Sequence, residues 1–445
     1  MGNAECRAQP GEQPSEHPAV RPHPSKLFVE VTTRCNLRCA MCVKQAPGQQ
    51  LVDGDMSDET FARLAPALPR LDALVLNGVG ESLLHPRLEK YIEAAKKVMA
   101  PQAWVGFQTN GQLLGRERAA SLVRAGIDKV CVSADAVAPE VFRKLRGGGK
   151  HAAVETALGA LHAAASESGR AISLGVEFVA MRSNVDQLPD LVRWAARNHV
   201  GFVIVTHMLP YNEGMAGAAA FDSNSDRALQ VFREWKGRAG ADGVDVDRYF
   251  DVFMKFHRSP EEERVAEYVG KMVEDASSQG ISLNLAQLLR CDEPMLRRVR
   301  DIFDEAEEIA RRENVDLRLP ATSPKHDKRC DFVEDGSAFV SWEGDLHPCY
   351  FLWHRYRCYI GGAVKQVRPQ SFGNLKEQDV LGIWNGAAWS TFREQARKYE
   401  YPSCSDCNVA LCDYVQGEDF TQDCHLGKVP CPTCLWCTGV FQCLR

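Results

Sequence analysis

The sequence of 445 residues predicts an α/β protein: a partial (β/α)6 barrel, then a helical insertion, then a small cysteine-rich C-terminal domain. Three observations predict it. Short apolar runs with β-branched residues alternate with helix-period stretches from Leu27 to Met208. A charged, mainly helical stretch follows them. Eleven of the seventeen cysteines then fall between Cys330 and Cys443.

The elements justify themselves in order. LFVEVT (27–32) is a buried strand by composition, and LDALVLNGVGE (71–81) repeats its form. AWVGFQTNG (103–111), IDKVCVSADA (127–136), AISLGVEFVA (171–180) and VGFVIVTHM (200–208) complete six strands. Between them FARLAPALPRL, LEKYIEAAKKV, RERAASLVRAG, HAAVETALGALHAAA and LPDLVRWAARN read as helices. Strands and helices alternating this way imply right-handed crossovers and a parallel sheet, with the chemistry at the carboxyl ends of the strands. In the next stretch, MLRRVRDIFDEAEEIARR (295–312) carries Leu296, Val299, Ile302, Phe303, Ala306 and Ile309 on one face, and VDLRLP (315–320) supplies one more strand. The expected division is a disordered segment 1–26, a barrel core 27–209, a helical insertion with the end of the barrel 210–328, and a metal-held domain 329–445.

A net charge of −6 leaves no electrostatic footprint for nucleic acid or an anionic membrane. The first twenty-six residues lack the apolar stretch of a signal peptide, and no apolar run is long enough to span a bilayer, so a cytoplasmic protein is expected. Clustered cysteines in such a chain favour metal over disulfides. Cys6, Cys131 and Cys291 are isolated and read as inert.

Cys35, Cys39 and Cys42 follow the first strand at spacings of four and three. Thiolates hold iron–sulfur clusters. Three of them on a four-iron cube leave one iron open to a small chelating molecule, whereas a zinc site recruits a fourth ligand.

CxxxCxxC after the first strand of such a barrel resembles the radical S-adenosylmethionine (SAM) superfamily, and implies its TIM-like barrel. The resemblance implies that Gly78-Val79-Gly80-Glu81 is the segment whose backbone receives the methionine group of SAM. It implies that Ser133 and Asp135 meet the ribose and carboxylate of SAM, that Asn110 in the matching Thr109-Asn110-Gly111 ends the third strand at the SAM site, and that Arg182 and Asn184, after the fifth strand, contact SAM. It implies a [4Fe–4S] cluster that gives one electron to SAM, so that a 5′-deoxyadenosyl radical removes a hydrogen atom from substrate. No side chain is assigned a catalytic role.

The segment after residue 328, with Cys330, GDLHPC ending at Cys349, FGNL…IW, and the CxxC pair Cys404 and Cys407, resembles the SPASM extension of radical SAM maturases. That implies two auxiliary [4Fe–4S] clusters. Cys404, Cys407 and Cys412 are expected to serve one, and Cys330 and Cys349 the other, while Cys358, Cys424, Cys431, Cys434 and Cys443 compete for the remaining positions. CxxC pairs also leave zinc open for part of the set, and His347 and His354 read as packing or surface residues. The ending QDC…PCPTCLWCTGVFQCL is similar to the maturases of tungsten-cofactor oxidoreductases. The implied substrate is a pterin-type metal cofactor or its metalloenzyme, and the implied electron donor a low-potential ferredoxin or flavodoxin. A peptide maturase is the alternative, as is a non-catalytic iron–sulfur or zinc protein.

Overall fold

The computed structural model describes residues 17–46, 48, 49, 51–407 and 429–444. Its strands are β1 (Lys26–Val29), β2 (Ala73–Val75), β3 (Trp104–Thr109), β4 (Lys129–Ser133), β5 (Ser173–Ala180), β6 (Phe202–His207), β7 (Asp316–Arg318), β8 (Ser337–Val340), β9 (Leu346–His347), β10 (Tyr356–Ile360) and β11 (Ala363–Val367). The main sheet has the order β7-β6-β5-β4-β3-β2-β1-β8-β9, and β10 pairs with β11 as a separate hairpin. Every pairing from β7 to β8 is parallel, and β9 alone in that sheet runs antiparallel. The six expected strands thus form the middle of the sheet, extended by β7 on one side and by β8 on the other.

Alternation along the strands makes two compartments. Val105, Phe107, Val130, Val132, Val176, Phe178, Val203 and Val205 face the helices in one continuous core. Phe28, Val75, Cys131, Phe202 and Ile204 face the lumen, where Phe339, Tyr350 and Phe351 from the cysteine-rich segment join them. The region after residue 329 therefore supplies both a barrel strand and part of the barrel filling.

The amphipathic stretch forms helix Glu293–Glu313. Asp292 caps it through the Met295 N–H, Pro294 opens it, and Asn314 ends it in the left-handed conformation. Its buried face, Leu296, Val299, Phe303, Ala306, Ile309 and Ala310, is worth about 1.5–3 kcal/mol per large side chain, and packs on helix Leu188–Arg197. Helices Asp226–Ala241, Tyr249–Phe253 and Pro260–Ser278 enclose a core of their own around Phe232, Val265, Val269 and Met272. Among the described residues no helix is long and apolar enough to cross a membrane.

Two expectations change. FARLAPALPRL is not one helix: a short helix Asp58–Ala62 gives way to a 3-10 turn Leu68–Arg70, because Pro66 and Pro69 interrupt the hydrogen-bond ladder. The lead-in expected to be disordered through residue 26 is ordered from His17. Trp384 donates to the Arg21 carbonyl at 2.9 Å, Asn385 donates to that of Pro22 at 2.9 Å, and Ala19 is buried.

Past β7, the chain is lined by the strip 437–442. Ala321, Lys325 and Arg329 N–H groups donate to the carbonyls of Gly439, Thr438 and Cys437, and Gln442 N–H donates to Thr206 Oγ1 at 3.2 Å.

Candidate active site

The loop after β1 carries Cys35, Cys39 and Cys42, all free thiols. Its backbone is tied on both flanks. Thr33 Oγ1 donates to the Val52 carbonyl and accepts from Gly54 N–H, both at 2.8 Å, and Arg34 pairs with Asp55. On the other side Ala40 N–H donates to the Leu145 carbonyl at 2.9 Å. Burial pushes all three thiols up, Cys42 to about 11; Cys35 and Cys42 also feel the charge of a neighbour in the trio, while Arg146 acts against the rise at Cys39. Thiols that resist ionisation on their own need a metal to draw off the proton. Among the described residues no three His, Cys, Asp or Glu side chains gather tightly enough for a single metal ion. A four-iron cube asks for something else, one thiolate per iron, and three gathered thiols on one anchored loop fit that demand.

The turn after β2 lies directly on this loop. A β-carbon on Gly80 would stand 2.2 Å from the Thr32 carbonyl oxygen and 2.7 Å from that of Arg34, so only glycine lets the two backbones meet. Glu81 N–H donates to the Arg34 carbonyl at 2.7 Å. Gly78 begins the same turn, and the Val79 N–H donates to Glu30 Oε1 at 3.0 Å. The Glu81 carboxylate is buried and accepts from Thr109 Oγ1 (2.7 Å), Asn110 N–H (2.7 Å) and Leu83 N–H (3.2 Å). Burial still raises its pKa, against these three donors.

The other expected residues converge on the same end of the barrel. Asn110 Nδ2 donates to Asn36 Oδ1 at 2.8 Å and lies 4.0 Å from Cys35 Sγ. Ser133 ends β4 and is buried. Asp135 accepts from Val179 N–H at 2.8 Å and pairs with the buried Arg146, whose Nη1 lies 4.0 Å from Cys39 Sγ. Asn184 is committed internally: Oδ1 accepts from Met181 N–H, and Nδ2 donates to the carbonyls of Asp135 and Val179, all within 2.9 Å. Glu81, Asp135 and Asn184 therefore shape the strand ends. The buried cation Arg146, beside Cys39, is a site residue that the sequence reading did not single out.

The C-terminal thiols divide. Cys330, Cys349, Cys434 and Cys437 are near enough to perturb one another, with Cys431 beside Cys434 and Cys443 beside Cys349. Burial pushes Cys349 up to about 11 and Cys443 up to about 12. A hydrogen bond between Cys434 and Cys437 lowers the latter and raises the former. Cys437 was absent from the expected set, although the C-x2-C-x2-C run 431–437 carries it. Cys358 lies on β10 facing Lys365, and burial pushes it up to about 12. Cys404 opens a 3-10 turn that reaches Asp406, next to Cys407, and its N–H donates to the Pro432 carbonyl at 2.9 Å, which holds this pair against the terminal run. Cys412 and Cys424 lie outside the described residues.

The family model of the radical SAM superfamily matches residues 29–195, and that of the SPASM iron–sulfur cluster-binding domain matches residues 330–408. The chain is a radical SAM enzyme with a SPASM domain. Its cofactors are SAM and [4Fe–4S] clusters. The enzyme is 28% identical over 423 residues to the tungsten-containing aldehyde ferredoxin oxidoreductase cofactor-modifying protein of Pyrococcus furiosus, covering 94% of this chain and 96% of that one. It is 35% identical over 177 residues to a GTP 3′,8-cyclase of Streptomyces coelicolor, covering 39% of this chain and 50% of the relative. In fold it matches the Streptococcus suis SuiB structure bound to the precursor peptide SuiA, with a TM-score of 0.50 and 12% identity over 89% of this chain and 74% of that one.

Beneath the trio the enzyme has a polar lumen. Glu30 is fully buried; its Oε1 meets His354 Nε2 at 3.0 Å, so this histidine, read as a packing residue, bridges the SPASM region to β1. Deeper, Tyr350 OH donates to Asn77 Oδ1 and Asn77 Nδ2 donates to Gln108 Oε1, both at 2.6 Å. Gln108 in turn donates toward Glu177, whose pKa burial pushes up to about 7. Glu30 and Glu177 were missed because LFVEVT and GVEFVA read as uniformly buried strands. A carboxylate inside such a run was the available signal.

Proposed function

We propose that the enzyme reductively cleaves SAM and uses the radical to mature a tungsten- or molybdenum-type pterin cofactor, or the metalloenzyme that carries it. The carrying observation is the trio of free thiols gathered over a backbone contact that only Gly80 permits. Cys35, Cys39 and Cys42 would hold the SAM-binding cluster. When bound, that cluster supplies the electron that splits the sulfonium and frees the 5′-deoxyadenosyl radical.

The chain's own residues do the rest. The Gly78–Glu81 turn and Asn110 offer main-chain and amide groups beside Cys35 for the amino acid part of SAM. Ser133 and the strand ends shaped by Asp135 and Asn184 would face its nucleoside. Arg146 places a buried positive charge beside Cys39, where it would attract the carboxylate of SAM. The aromatic filling from Phe339, Tyr350 and Trp353 packs the side of the lumen next to β1 and narrows the path of water to a radical.

The division at 27–209, 210–328 and 329–445 is our assignment, as are two auxiliary clusters. Cys330, Cys349, Cys434 and Cys437 are the ligand set we favour for the first. Cys404 and Cys407, with Cys412 and Cys424, belong to the second, and Cys431, Cys443 and Cys358 are reserves. A low-potential ferredoxin or flavodoxin is the electron donor.

The substrate reading is supported by the relative that spans nearly the whole chain and is named for modifying a tungsten enzyme's cofactor. Co-expression tests it. A tungsten aldehyde oxidoreductase made with and without this enzyme is compared by activity and by mass spectrometry of its released pterin. A mass difference that depends on Cys39 supports the reading, and identical pterins with equal activity refute it.

A further inference from the structure

The lumen holds two carboxyls, and they are not equivalent. Glu30 is closed off, its Oε1 shared between the Val79 N–H and His354. Glu177 is partly buried and keeps accessible surface, as do Val179 on the same strand, Gln108 on β3 and Thr206 on β6. Their partners on the opposite strand faces, Phe107, Thr109, Phe178 and Val205, are buried. The lumen is therefore open at the level of Glu177. This level is also where SAM chemistry would be delivered, since Glu177 is in register with Ser133 across β4 and β5.

The orientation of Glu177 is fixed from behind. Tyr350 OH, Asn77 and Gln108 form a relay of 2.6 Å hydrogen bonds from the SPASM segment across β2 and β3, and the relay ends with the Gln108 amide pointing at Glu177. Every member uses its donor toward the next, so the chain leaves acceptor capacity at its far end. A carboxylate has lone pairs for about four donors, and its two oxygens match a pair of parallel N–H groups.

We propose that Glu177 is the substrate-recognition group of the lumen, and that it receives the 2-amino and ring N–H edge of a 2-amino-4-oxopyrimidine ring. This rests on the pterin reading above and names the part of the substrate that is held. Pterins carry that edge, and so does the guanine of GTP, after which the Streptomyces coelicolor relative is named. A site built on a buried acceptor rejects a ring that lacks the donor pair, because the acceptor is left unpaired.

Three probes test it against the anaerobic, cluster-loaded enzyme in the presence of SAM. Pterin and GTP carry the edge and separate the two sources of the ring. Lumazine differs from pterin only in having oxygen in place of the 2-amino group. The wild type is expected to bind pterin at least roughly tenfold more tightly than lumazine, the discrimination typical of a bidentate pair. In Glu177→Gln that ratio falls to near one, and in Glu177→Asp it is intermediate. The ratio is measured within one protein sample, so a smaller folded fraction does not imitate the result. A Glu177→Gln enzyme that keeps the wild-type ratio overturns the inference and leaves the pterin reading standing. So does a variant that loses affinity for SAM with the ratio intact. If the wild type binds none of the three rings, both fall together.

Discussion

Gly147 presses its Cα against the carbonyl of Arg38: a β-carbon there would stand 2.2 Å from the oxygen. Its φ of 59° is left-handed as well. The segment after β4 thus serves as a backstop for the cysteine loop, set in backbone rather than in side chains.

Gly147→Ala should therefore cost more than the usual price of a left-handed alanine. Both strain and collision act at one atom, so a loss of about 1–3 kcal/mol is expected. Because the collision moves Arg38, next to Cys39, iron at the SAM-binding site should fall as well. Thermal unfolding and iron content of the reconstituted protein measure the two effects. Gly115→Ala is the control, since a β-carbon there meets nothing within 4 Å. Equal behaviour of the two variants would remove the backstop from the account.

Cys39→Ala should abolish 5′-deoxyadenosine formation under dithionite while most of the iron in the distal domain stays. Cys39 is the buried member of the trio, and Arg146 is aimed at it. Iron and sulfide analysis beside a product assay decides this. Continued cleavage would reassign the trio.

Cys437→Ser should lower iron content and weaken the fold after residue 329, whereas Cys358→Ser should leave iron unchanged. Cys437 stands among Cys330, Cys349 and Cys434, and Cys358 faces Lys365 instead. Metal binding contributes to folding in such small domains, so the melting temperature should follow the iron. Iron loss in the second variant alone would invert the ligand assignment.

Much of this site was legible as local pattern. The trio, the glycine turn and the strand ends lie within a few residues of their strands, and alternation of strand and helix puts them at one end of a barrel. What stayed hidden is what distant segments do together. His17 to Ser25 is polar and proline-rich, and its anchors are Gly336 and Trp384, more than 300 residues away. Glu177 acquires meaning only from Gln108, Asn77 and Tyr350, which reach it across two strands and from the SPASM segment. Cys437 was one thiol among eleven, and spacing alone does not say which of them meet.

His207 predicts a pH effect. It is buried between Phe221 and Phe303 with Nε2 donating to the Ala321 carbonyl at 3.1 Å, and burial lowers its pKa from 6.5 to about 3. Below pH 6.5 the unfolded chain takes up a proton that the folded one refuses, so stability falls as pH drops from 6.5 toward 3. At pH 5 this amounts to about 2 kcal/mol. His207→Gln keeps a donor for Ala321 and should flatten that limb. Unfolding midpoints measured from pH 7 down to 4.5 test it, and parallel curves for the two proteins would refute it.

The pairing of β8 with β1 has a practical consequence. Lys26 to Val29 lies between two parallel neighbours, and one of them comes from beyond residue 329. A fragment ending before that point would leave β1 as a naked edge, with apolar residues and unpaired amides side by side. Such edges recruit other chains, so the isolated barrel should precipitate or form ill-defined assemblies rather than work as a smaller enzyme.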